Sequence, residues 1–132
     1  MLRISKSFRE QIVSHALDDD PDECCGILAG HNSQVSKLYR MTNVDHSSYR
    51  YNMDPRELYK IYTEIDNDGL EIVGIYHSHT HSEAYPSDTD VRLVTWPDAS
   101  YILVSLTDKK KPEVRAFRIT EGNIAEEEIV ED

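Results

Sequence analysis

The sequence predicts a single α/β or α+β domain in which helices alternate with buried strands. Three observations predict it. Three stretches carry helix starts, helix stops and the apolar spacing of an amphipathic helix. Two runs, Ile72-Val73-Gly74-Ile75-Tyr76 and Tyr101-Ile102-Leu103-Val104, are nearly continuous and apolar, as in central strands covered on both faces. The chain has 132 residues with no internal repeat, linker or low-complexity tract, so residues 1–132 form one domain large enough for its own core. A helix with one apolar stripe and a sheet with apolar faces then bury those surfaces against each other.

The elements follow in order. Ser7 and Glu10 are spaced as a capping box, and Phe8, Ile12 and Ala16 share the face that follows. Pro21 closes this first helix after Asp18-Asp19-Asp20. Strands are expected over Cys25 to Ala29 and Gln34 to Met41. The second helix starts with Asp54 as cap, Pro55 in the first turn and Glu57 to complete a box. Leu58, Ile61, Tyr62 and Ile65 form its apolar face, and Gly69 ends it. A strand runs from Leu70 to His77. The third helix begins at Ser87, with Asp90 as its cap partner, and extends to about Trp96 before Pro97. Strands Tyr101 to Leu106 and Val114 to Ile119 flank a turn at Lys109-Lys110-Lys111-Pro112. The acidic tail, Glu121 to Asp132, reads as a short edge strand with a solvated end.

Composition removes several functions. Fourteen Lys and Arg against 25 Asp and Glu give a net charge of −11, which opposes a phosphate backbone and argues against nucleic-acid binding. No apolar run is long enough to span a membrane. The N-terminus, Met1-Leu2-Arg3-Ile4-Ser5-Lys6, has neither the apolar stretch nor the small-residue cleavage site of a secretory signal. Cys24 and Cys25 are adjacent and cannot staple distant segments. The expectation is a cytoplasmic protein. The sequence sets no oligomeric state and is compatible with a homodimer.

The chemistry concentrates just after the most apolar strand, in His77-Ser78-His79-Thr80-His81-Ser82-Glu83-Ala84-Tyr85-Pro86-Ser87-Asp88-Thr89-Asp90. His77 and His79 are two apart, so on an extended chain both imidazoles point the same way and can reach one ion. Asp90 can add a carboxylate oxygen. Two nitrogens and one carboxylate make a three-ligand zinc set with a fourth position left for water. Three of the six histidines within five residues is the signal; a lone histidine would read as an ordinary polar group. His81 shares the parity, but the loop signals after Thr80 set it apart, and Glu83 reads as a solvated loop residue. Ser87 and Asp90 also fit a helix cap unaided, and spacing does not separate cap from site.

H-x-H, seven residues, then S-x-x-D resembles the signature of the JAMM (MPN+) metallopeptidases, and His77, His79, Ser87 and Asp90 fit it without a gap. Upstream, Pro21-Asp22-Glu23-Cys24-Cys25-Gly26-Ile27-Leu28-Ala29-Gly30 is similar to that family's P-x-E-x-C-G-x-L-x-G pattern. The resemblance implies a JAB/MPN-type domain: a mixed, mostly antiparallel sheet flanked by helices. It implies one zinc ion per chain held by His77, His79 and Asp90, Glu23 as general base, and the Ser87 hydroxyl as a donor to the oxyanion. Five acids crowd Asp18 to Glu23, and residue chemistry alone does not pick Glu23 from among them.

Met41-Thr42-Asn43, Tyr76 to Thr80 and Glu83 to Ser87 look like the small bacterial members. Those trim the C-terminus of a ubiquitin-like sulfur-carrier protein, notably releasing cysteine. Many relatives carry proline where this chain has Thr80, a departure that leaves the metal set untouched. The implied partner is a carrier with a flexible C-terminal tail, laid as an added strand along Gln34 to Asn43, with Thr42 and Asn43 meeting the substrate. Two rivals stand beside this reading: a catalytically silent MPN interaction module, and an isopeptidase that removes ubiquitin-like proteins. Other zinc hydrolases fit less well. His81 and Ser82 stand where the H-x-H-x-D-H pattern needs Asp and His, and the P-C-x-x-C of zinc deaminases is absent. A thiol hydrolase built on Cys24 or Cys25 remains, though both sit at the head of an apolar strand.

Overall fold

The computed structural model describes all 132 residues. The chain order is β1 (Leu2–Ile4), α1 (Lys6–Asp19), β2 (Cys25–His31), β3 (Gln34–Met41), α2 (Pro55–Asn67), β4 (Glu71–His79), α3 (Asp88–Arg92), β5 (Ser100–Ser105), β6 (Glu113–Thr120), β7 (Asn123–Glu127) and β8 (Ile129–Glu131). All eight strands join one sheet in the order β7-β6-β5-β4-β2-β3-β1-β8. Four of the pairings are antiparallel and three parallel, which makes the sheet mixed and mostly antiparallel, as the resemblance implied.

Glu128 alone separates β7 from β8, yet these strands hold opposite ends of the sheet order. The ends must therefore meet, and the sheet curls towards a closed barrel. The N-terminus seals the seam: the Leu2 N–H donates to the Glu128 carbonyl at 2.9 Å, and the Met1 ammonium donates to Glu127 at 2.9 Å. The tail thus supplies two strands on opposite edges, where the sequence suggested one.

Two apolar clusters lie on the two faces. The first gathers Ile12 and Ala16 of α1 with Leu2, Leu28, Tyr76, Val104 and Ala116. Because it draws on strands from both ends of the order, α1 fills the inside of the curl. The second packs Ile65 of α2 against Ile27, Ile75, Leu103 and Phe117. The runs read as central strands, β4 and β5, do sit side by side at the centre, paired in parallel.

Three local expectations are corrected. Ser5, not Ser7, caps α1, accepting from the Phe8 N–H at 3.1 Å, while Ser7 accepts from Gln11 one turn on. Asp54 does cap α2, but Glu57 turns away from the box and accepts from the Thr42 N–H and hydroxyl. The third helix stops at Arg92 rather than near Trp96, because the Tyr101 hydroxyl accepts from the main-chain N–H groups of Thr95 and Trp96 and holds them out of a helix.

β4 positions the site. Leu28 pairs with Gly74 and Ala29 with Ile72, so Val73 is an extra, bulged residue. After the bulge, alternation is regular: Tyr76 and Ser78 turn towards α1, while Ile75, His77 and His79 turn towards α2.

Candidate metal centre

His77 and His79 emerge side by side from the C-terminal end of β4, both buried, with ring centroids 5.1 Å apart. Asp90 comes from α3, a helix of five residues that stands because its cap is complete. The Asp90 N–H donates to Ser87 Oγ at 3.1 Å, and the Ser87 N–H donates to Asp90 Oδ2 at 2.9 Å. Cap and site are therefore not alternatives. The box fixes the Asp90 carboxylate, and that carboxylate faces both imidazoles: Oδ2 lies 3.0 Å from His79 Nε2 and Oδ1 lies 3.2 Å from His77 Nε2. One donor atom from each of the three residues falls within 4.8 Å of the others.

The donor set fits a divalent cation. The Glu83 carbonyl accepts from His79 Nδ1 at 2.8 Å, so Nδ1 carries the proton and Nε2 presents its lone pair towards Asp90. Two electron-pair donors facing each other at this range need a proton or a cation between them. Both ring nitrogens of His77 are buried without a hydrogen-bond partner, as is Glu23 Oε1. Buried polar atoms are rarely left unpaired, and three of the four such side-chain atoms in the chain belong to His77 and Glu23, the fourth being the Tyr39 hydroxyl on β3. Two imidazole nitrogens and one carboxylate oxygen match a three-ligand zinc set.

Electrostatics agree. Burial pushes the Glu23 carboxyl up to about 8, with the Asp90 charge adding and His79 subtracting. A cation in the site draws it back down. Burial raises the Asp90 carboxyl too, but the two imidazoles and the Ser87 N–H outweigh it and hold Asp90 well below the usual carboxylate range. Burial lowers His77, only partly offset by Asp90, which favours the neutral ring that a metal needs. For His79, burial is outweighed by Asp90 and the Glu83 carbonyl, and the net shift is upward.

The remaining expected residues fall as follows. Glu23 is 3% exposed, separated from β2 by Cys24, whereas Asp18, Asp19 and Asp22 of the same acidic stretch keep much of their side chains in solvent. Asn43 is buried with both ends of its amide bonded within the chain, and Thr42 is bonded to Glu57, so neither offers a substrate a free side chain here. β3 has strand pairing on its outer side only at Gln34. His81 lies outside the cluster, exposed and tilted against Tyr49 at 5.5 Å. Burial raises both cysteine thiols, Cys24 to about 12, and neither suits a nucleophile.

Sequence reasoning missed two parts of the site. The Tyr51 ring lies against His77, centroids 4.5 Å apart, and nothing local in the sequence marks it. A cavity of about 220 Å³ opens beside Asp90, walled by Tyr51, Met53, Leu58, Leu93, Trp96 and Tyr101. Its walls come from five separate segments, so only the fold reveals it.

Comparison with known proteins identifies the family. The profile describing prokaryotic homologues of the JAB domain matches residues 5–120. The chain is 43% identical over 131 residues to the CysO-cysteine peptidase of Mycobacterium tuberculosis, covering 98% of this chain and 90% of that one. It is 35% identical over 111 residues to the desampylase of Haloferax volcanii, covering 79% and 80%. The solution structure of protein DSY2949 from Desulfitobacterium hafniense superposes with a TM-score of 0.89 at 33% identity, covering 100% of this chain and 93% of that one. The chain belongs to the prokaryotic JAB-domain family, as a hydrolase of the JAMM type.

Proposed function

We propose that this chain is a zinc peptidase that cleaves the bond joining a cysteine, or a short extension, to the C-terminus of a ubiquitin-like sulfur-carrier protein. One observation carries the reading: the donor atoms of His77, His79 and Asp90 converge within 4.8 Å in a chain 43% identical, over 98% of its length, to a CysO-cysteine peptidase. One zinc ion per chain would be held by those three residues. When bound, zinc supplies Lewis acidity, polarising a carbonyl and making water a stronger acid.

The chain's own groups do the rest. Glu23 Oε1, buried and unpaired, takes a proton from the attacking water and returns it to the departing amine. Its raised proton affinity suits a group that must do both. Ser87 Oγ already accepts from the Asp90 N–H, so its own proton is free to donate to the carbonyl oxygen as negative charge develops there. His79 is held in one tautomer by the Glu83 carbonyl. The cavity between Tyr51 and Trp96 receives the carrier's tail and keeps bulk water from the reacting bond.

Carrier proteins bearing a C-terminal cysteine, incubated with the zinc-loaded enzyme, should lose the mass of one residue in a mass spectrum. A second arm offers a carrier joined to a lysine side chain, the reading favoured by the likeness to a desampylase. Cleavage of the lysine-linked substrate with no trimming of the cysteine-ended one would replace the first reading with an isopeptidase. Cleavage of neither would reject both.

A further inference from the structure

Of the five residues in the family pattern, Glu23 alone comes from neither β4 nor the capped first turn of α3, so something must hold it in register with them. Its main chain is tied on every side. The Glu23 N–H donates to the Ser47 carbonyl at 2.8 Å, and the Cys24 N–H donates to Ser78 Oγ at 2.8 Å. The Ser78 N–H donates back to the Cys24 carbonyl at 3.2 Å. The Glu23 carbonyl accepts from Asn43 Nδ2 at 3.0 Å.

Asn43 is the hub of this arrangement. The same Nδ2 donates to the Arg50 carbonyl at 3.0 Å. Its Oδ1 accepts from the Asp45 and Asn52 N–H groups, both at 3.1 Å. Two carbonyls on one end and two N–H groups on the other fix the orientation of the amide. The loop between them, residues 44–52, carries Tyr51 against His77, and Arg50, Tyr51 and Asn52 onto the cavity beside Asp90. One buried amide thus binds the segment bearing Glu23 to the loop that walls the cavity and presses on His77.

We infer that Asn43 is a positioning residue that sets Glu23 through its main chain and couples it to the loop 44–52. This rests on the reading of Glu23 as the general base. No other side chain serves as well. Alanine leaves two carbonyls and two N–H groups unpaired in a buried place, and aspartate keeps the Oδ1 bonds but sets an oxygen against both carbonyls. Asn43→Asp therefore breaks the Glu23 and Arg50 links selectively. Thr80→Val is the control: it removes the bond from the Thr80 hydroxyl to the Ser48 carbonyl, 3.0 Å, and loosens the same loop while leaving the Asn43 bond to the Glu23 carbonyl in place.

The test compares zinc-loaded wild type, Asn43→Asp, Thr80→Val, Glu23→Gln and the Asn43→Asp/Glu23→Gln double variant, with Asn43→Ser as a second substitution should Asn43→Asp fail to fold. Metal content, kcat, KM and amide hydrogen exchange are read on each. The inference expects full metal content in Asn43→Asp and a loss of roughly 10² in kcat, the scale of a misplacement of about 1 Å. It expects the double variant to match Glu23→Gln alone, with no loss added by Asn43→Asp. Exchange should quicken together over residues 20–25 and 44–52, whereas in Thr80→Val it quickens over the loop alone and kcat stays within about threefold. An active wild type and an inactive Glu23→Gln, with Asn43→Asp within about threefold of wild-type kcat, overturn the inference and leave the proposed function standing. Faster exchange confined to the loop in Asn43→Asp also overturns it. A fully active Glu23→Gln overturns the general-base reading, and the inference with it.

Discussion

Replacing Ser87 by alanine separates two roles that one hydroxyl performs. As a cap, Ser87 Oγ accepts from the Asp90 N–H at 3.1 Å, and losing such a cap costs about 1 kcal/mol. For a chain of 132 residues that lowers Tm by roughly 3–5 °C. As an oxyanion donor, the same hydroxyl is worth about 10²–10³ in kcat, or roughly 2.7–4 kcal/mol of transition-state stabilisation. Metal content should persist, because the Ser87 main-chain N–H still holds Asp90 Oδ2 at 2.9 Å. The assay is cleavage of a cysteine-ended carrier, with kcat and KM measured alongside Tm and bound zinc, for wild type, Ser87→Ala and Ser87→Thr. The account expects Ser87→Ala to lose kcat while KM barely moves, and Ser87→Thr, which keeps acceptor and donor, to recover most of it. A lower Tm with kcat within about threefold of wild type would reduce Ser87 to a cap and refute its part in the reaction.

Three further outcomes follow from the same geometry. Glu23→Gln should keep its zinc and lose roughly 10²–10⁴ in kcat, with Tm little changed, since a neutral amide of the same shape replaces an ionisable buried carboxyl. Gly26→Ala should destabilise by about 1–3 kcal/mol in urea unfolding, because the new Cβ would stand 2.0 Å from Tyr76 Cε2 while His15 holds the Tyr76 hydroxyl at 2.6 Å. Burial raises the Glu127 carboxyl, but Ser100, the Met1 ammonium and Arg118 outweigh it and bring it below its ordinary value of 4.5. A depressed folded-state value means stability present above pH 4.5 and lost as pH falls through the folded value, so Glu127→Gln should flatten this acid limb of the stability curve.

What the sequence shows of the site depends on how local each relation is. His77 and His79 need only the alternation of a strand, and Ser87 and Asp90 only the first turn of a helix, so four of the five residues are legible from spacing. Spacing left cap and metal ligand as competing roles for Asp90, and the structure shows one carboxylate that both completes the helix cap and faces the two imidazoles. Glu23 is different. Among five neighbouring acids it is marked by its burial and by main-chain bonds to Asn43 and Ser47, long-range contacts that leave no periodic trace, and only the family pattern points to it.

The fold divides the same way. The long central strands were legible from apolar content, but β1 is three residues long and is defined by pairing with β3 and β8. The choice of Ser5 over Ser7 as the α1 cap turns on one residue of register, which two serines two positions apart do not settle. The split of the acidic tail across both edges of the sheet follows from closure of the curl, a property of the whole sheet.

The central claim is that His77, His79 and Asp90 together hold the metal on which hydrolysis depends. Metal analysis of purified wild type and Asp90→Ala, each reloaded with zinc and assayed for release of the C-terminal residue from a carrier, tests it most directly. The account predicts one zinc per chain and cleavage in wild type, and neither in Asp90→Ala. An Asp90→Ala protein that trims the carrier at the wild-type rate without zinc would contradict it.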